Sequence, residues 1–129
     1  MSYFKLKEVD IPIYRGTLVI IFTDDPEKLK KEIDDNSFSI PASIYCHAMY
    51  AEKDERHGFI AIFNFKNKGR PVTHGAIAHE AVHIANFMFD SRGMVPDQKN
   101  DEAFSYFTEW VVDQVYTFAK ECKFKPTVI

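Results

Sequence analysis

Thr73-His74-Gly75-Ala76-Ile77-Ala78-His79-Glu80-Ala81-Val82-His83-Ile84 is the stretch on which the reading of this chain turns. On an α-helix, residues four apart lie one above the other on the same face. His79 and His83 therefore share a face, and two imidazoles so placed can hold one metal ion. Glu80, beside the first histidine, can act on a water at that ion. This is the physical content of the His-Glu-x-x-His pattern. The plain alternative is a helix with two packed or solvated histidines and no ion.

A zinc site needs a further protein ligand from another part of the fold. Nineteen residues after His83 comes Glu102, in Asn100-Asp101-Glu102-Ala103-Phe104-Ser105-Tyr106. The pattern H-E-x-x-H, followed about twenty residues later by a helix carrying Glu-Ala-x-Ser, resembles the gluzincin metallopeptidases, the thermolysin-like zincins. The short chain is also similar to the minimal, single-domain members of that group. The likeness covers roughly residues 58–116.

The resemblance implies Zn²⁺ held by His79, His83 and Glu102, with Glu80 as general base in peptide-bond hydrolysis. A peptide or protein would be the substrate. It would lie extended along an edge strand beside the metal helix, with residues 57–65 as the expected strand. Thermolysin-like members usually carry an Asp one helical turn after the Glu ligand; here that place is Tyr106. That departure keeps a second reading open, a catalytically inactive zincin-like module that binds protein. Glu109, two turns beyond Glu102, is a competing ligand, and Asp101 is a candidate to orient a histidine. His74 and Tyr106 are candidates to stabilise an oxyanion. His74 is five residues before His79, about 500° round the helix, and so well off the ligand face.

Bulk properties agree with a folded single domain over residues 1–129. The chain is 46% hydrophobic and 15% aromatic, which argues against disorder. A net charge of −3 gives no general case for nucleic acid or anionic membrane. The N-terminal residues lack the continuous apolar core of a signal sequence, and no apolar run approaches a membrane span. A cytoplasmic location is the resulting expectation, with Cys46 and Cys122 as free thiols. Composition does not set the oligomeric state.

Local patterning gives an α+β expectation: a small antiparallel or mixed sheet packed against a buried H-E-x-x-H helix and a second long helix. Residues 1–16 alternate weakly and read as an extended arm or edge strand. Thr17-Leu18-Val19-Ile20-Ile21-Phe22-Thr23 is a short β-branched run, a buried strand. Asp24-Asp25-Pro26-Glu27 starts a helix that should end near Asn36. Residues 43–51 and 57–65 read as a hairpin across a polar connection. Phe59, Ala61, Phe63 and Phe65 should point one way; Ile60, Ile62 and Asn64 the other.

His47 and His57 lie in these strands without metal-ligand spacing and read as structural or surface residues. A basic loop, residues 66–73, leads into the metal helix and could rim a cleft. That helix should run over residues 74–89. Its apolar residues surround most of the axis, so burial in the domain centre is expected. A loop with Gly93 and Pro96 precedes the second helix, residues 100–121. There Asn100 or Asp101 caps, and Phe104, Phe107, Trp110, Val111, Val115 and Phe118 form the apolar face.

Overall fold

The computed structural model of the chain describes residues 3–33, 45–53, 56–66, 69–99 and 101–127. Among these residues the elements run β1 (Phe4–Asp10), β2 (Thr17–Thr23), α1 (Pro26–Ile33), β3 (Cys46–Lys53), β4 (Arg56–Asn64), α2 (His74–Ser91) and α3 (Asp101–Glu121). The class is α+β, with one four-stranded mixed sheet in the order β1-β2-β4-β3. The expected end of the first helix near Asn36, the expected strand start at residue 43 and the Asn100 cap lie outside the described residues.

β2 and β4 are central because both of their faces are apolar. Leu18, Ile20 and Phe22 on β2, with Phe59, Ala61 and Phe63 on β4, pack toward α2 and α3. The alternate residues Ile21, Ile60 and Ile62 pack with Leu29 of α1 on the other face. The facing expected for residues 59–63 is the observed one. β2 and β4 pair in parallel, Thr17 opposite Gly58 and Thr23 opposite Asn64. Parallel neighbours need a crossover, and the chain makes it through α1 before returning by way of β3. β1 pairs antiparallel with β2, and β3 antiparallel with β4, so β1 and β3 are the edges.

Short-range chemistry sets the element ends. Asp25 Oδ1 accepts from the Lys28 amide at 3.1 Å, capping α1 just ahead of Pro26. Between β1 and β2, Gly16 has φ +118, and a Cβ there would stand 3.0 Å from the His57 carbonyl oxygen. Arg92, just past α2, straps that turn by donating from Nε to the Tyr14 carbonyl at 3.0 Å, and from Nη2 to the Tyr14 and Arg15 carbonyls.

Both long helices stop in the same way. Gly93 (φ 69) follows α2, with the Met94 amide on the Phe89 carbonyl at 2.8 Å. Lys123 (φ 58) follows α3, with the Phe124 amide on the Ala119 carbonyl at 2.8 Å. A left-handed residue closes the last turn in each case.

α2 covers β3 and β4, and α3 lies beside it over β2. The two helices run antiparallel: Phe89 meets Phe104 edge-on at 5.3 Å, and His74 stacks on Tyr116 at 5.5 Å. Phe22 is the hub of the core, with ring centroids 5.3 Å from Phe63, 5.7 Å from Phe118 and 4.7 Å from Phe124. The segment after α3 is pinned alongside the start of α2 by the Thr127 amide on the Val72 carbonyl, 2.7 Å.

One expectation changes. α2 is not buried all round: Ile77, Glu80, Ala81, Ile84, Ala85, Met88 and Phe89 are buried, whereas Ala78, His79, Val82, His83 and Asn86 face outward. The small alanines let an apolar composition coexist with an exposed face. No described helix is long and apolar enough to cross a membrane.

Candidate metal centre

α2 begins at a threonine cap. Thr73 is extended (φ −100, ψ 166), and its Oγ1 accepts from the Ala76 amide at 3.0 Å. Such a cap contributes about 1 kcal/mol and fixes where the first turn starts. The phase of the whole helix follows. His79 and His83 project from its outer side, one turn apart, while Glu80 turns inward and is 5% exposed.

The two imidazoles converge. Nε2 of His83 lies 3.2 Å from Nε2 of His79, with ring centroids 4.8 Å apart and planes at 69°. Phe87, one turn further on, stacks beside His83 at 6.4 Å and limits its ring. The Glu80 carboxylate completes the group: one ligand atom from each of the three residues lies within 4.8 Å of the others. Among the described residues this is the group of histidine, cysteine and carboxylate ligands compact enough for an ion.

Burial pushes the Glu80 carboxyl above its ordinary pKa, against the opposing pull of His79, His83 and His47.

β3 borders the other side of this group. A cleft of about 380 Å³ is lined by Tyr45, Cys46, Arg70, Thr73, His79 and Glu80, with Gly75 and Ala76. The Tyr45 hydroxyl donates to the Pro71 carbonyl, and the Arg70 guanidinium sits 4.4 Å from the Tyr45 ring centroid. Burial pushes the Cys46 thiol up to about 12. It is therefore neutral at physiological pH and is not a nucleophile.

Two outcomes follow for Cys46. At pH 8 its alkylation by iodoacetamide should run about a thousandfold slower than that of an unperturbed thiol, because the thiolate fraction falls tenfold per pKa unit. Mass mapping of the labelled peptide checks this, and labelling at an ordinary thiol rate would contradict it. Between about pH 9 and about pH 12 the unfolded chain releases this proton and the folded chain keeps it. Folding stability from this group is thus full below pH 9 and lost as pH climbs through 12.

The remaining histidines lie elsewhere. His57 Nδ1 and the Tyr50 hydroxyl are 2.6 Å apart in a stacked pair. His47 alternates with the inward Cys46 and Ala48, so it projects from the α1 face of the sheet. Both match the structural or surface reading. His74 hydrogen-bonds through Nδ1 to the Tyr116 hydroxyl and stacks on that ring. It faces α3. Tyr106 is 65% exposed on α3.

The structure does not bring Glu102 to the histidine pair. It is exposed in the first turn of α3 and outside the compact group. Asp101 and Glu109 are exposed as well. The reason is rotational. α2 turns toward α3 the side that carries His74 and Phe89. At about 100° per residue, His79 and His83 lie about 140° and 180° round from His74.

A second correction concerns the strand beside the helix. Residues 57–65 were the expected edge, but β4 is flanked by β2 and β3, and among the described residues β3 is the edge on that side. Tyr45 and Cys46, which line the cleft, were not visible as site residues in the sequence. The one hint was the basic loop containing Arg70.

Comparison with family models, with curated proteins and with solved structures finds no match to this chain.

Proposed function

We propose that the chain is a zinc-dependent peptide hydrolase of the zincin type, working at His79, Glu80 and His83. The supporting observation is the 3.2 Å separation of the two Nε2 atoms. Two imidazole nitrogens on a tetrahedral zinc, each at about 2.05 Å, stand about 3.3 Å apart. The donor chemistry and spacing of the pair therefore fit this ion. When bound, zinc would supply Lewis acidity, lowering the pKa of water and polarising a carbonyl.

Glu80 does the proton work. Its carboxylate accepts a proton as a water oxygen forms its bond to the peptide carbonyl carbon. The same proton passes to the departing amine nitrogen as the C–N bond breaks. Burial of Glu80 beside an open histidine face suits a base that meets water on one side only. β3, an edge strand among the described residues, offers backbone groups to an extended peptide.

By the family resemblance Glu102 is the third ligand. Its exposed position apart from the histidines favours a second reading, a zincin-like protein-binding module without turnover.

Zinc stoichiometry of the purified chain tests the first reading. One zinc per chain is expected, falling to near zero in His79→Ala or His83→Ala. A wild-type chain that takes up no zinc sinks the proposal. Glu102→Gln decides between the two readings of that residue: a loss of zinc affinity of at least tenfold makes it the third ligand, and unchanged affinity removes it from the ligand set.

A further inference from the structure

The cleft beside Glu80 holds a fixed positive charge that the hydrolytic chemistry leaves unused. Arg70 stands at its mouth, at the end of the loop that leads into α2. The guanidinium is held over the Tyr45 ring, 4.4 Å from its centroid. Tyr45 in turn is anchored by its hydroxyl to the Pro71 carbonyl, one residue from Arg70. A cation over an aromatic face is attracted by the ring quadrupole. A side chain already held loses less rotamer freedom when it binds. Lys7 pairs with Glu121, remote from the cleft, and among the described residues Arg70 is in no ion pair. A guanidinium offers its N–H donors in a planar fork that matches a carboxylate. Of the neighbouring lining, Tyr45, Cys46 and Thr73 are uncharged, and Glu80 is the carboxylate among the lining residues.

We infer that Arg70 makes this cleft selective for a peptide whose side chain beside the cleaved bond is acidic, glutamate or aspartate. The inference rests on the hydrolase reading of His79, Glu80 and His83, and it deepens that reading by naming the substrate class. Arg70 acts in recognition and not in the chemical step. Its contribution weakens as salt screens an exposed pair.

The test uses the full chain carrying Glu80→Gln, so that peptides bind without being cut. The probes are two blocked hexapeptide mixtures, identical except for a fixed central Glu or Gln. Fluorescence anisotropy at low salt should show the Glu mixture binding about tenfold more tightly than the Gln mixture. Adding Arg70→Gln should erase that difference through loss of Glu-mixture binding alone. Arg70→Lys should restore part of it, and 0.5 M salt should reduce it. Equal affinities for the two mixtures, failure of both to bind, or a preference that survives Arg70→Gln would each overturn the inference. Zinc content measured on the same samples reads the hydrolase proposal separately. A zinc-loaded chain with no acidic preference discards Arg70 alone, whereas a zinc-free chain that keeps the preference discards the hydrolase.

Discussion

Glu80→Gln should leave zinc bound and lower peptide-bond cleavage by about 10²–10⁴-fold, the range that general-base catalysis contributes. Gln keeps the size of the side chain and removes its ability to take a proton. The site is 5% exposed, so a larger or charged replacement would confuse loss of chemistry with loss of packing. Burial already raises the carboxyl pKa of Glu80, which means the folded protein tolerates a neutral group there. Folding should therefore survive the change. Zinc analysis, a denaturation curve and peptide-cleavage kinetics on one preparation separate the effects. Full cleavage by the Gln variant would exclude Glu80 as the base.

Phe22→Ala should cost about 3–5 kcal/mol, the usual penalty for emptying a large aromatic site in a core. Phe22 is fully buried and touches Phe63 of β4, Phe118 of α3 and Phe124 beyond it. Its loss opens a cavity where the sheet, the second long helix and the following segment meet. Those elements are close-packed and rigid, so the hole does not close completely. Urea unfolding checks the figure. A cost under about 1 kcal/mol would mean that β2 does not face α3 as described. Zinc affinity offers a second readout: Phe22 lies away from the histidine pair, so in the fraction that remains folded His79 and His83 should bind as before.

Much of the local structure could be read from side-chain order. The alternation in residues 59–63 assigned both faces of β4, and Asp25-Pro26 marked the start of α1. The four-residue step from His79 to His83 put both rings on one helix face, where their Nε2 atoms are 3.2 Å apart. These are properties of a few neighbouring residues and a fixed helical or strand period.

The placement of Glu102 was not of that kind. Its number along the chain says nothing about which side of α2 meets α3. That side is chosen by Phe89 on Phe104 and His74 on Tyr116, contacts between residues far apart in sequence. The edge strand was likewise hidden. β4 and β3 are both apolar enough for the interior, and only the parallel pairing of β2 with β4 pushes β3 outward.

By itself, then, the sequence determined the histidine pair, the start of α1 and the faces of β4, because each follows from a few neighbouring residues and the period of one element. Tertiary structure alone decided the open side of α2, the separation of Glu102 from the histidines, and the cleft that unites Tyr45 and Arg70 with Glu80. Those depend on how packed elements rotate and order themselves against one another, and that is settled by the burial of distant side chains in a common core.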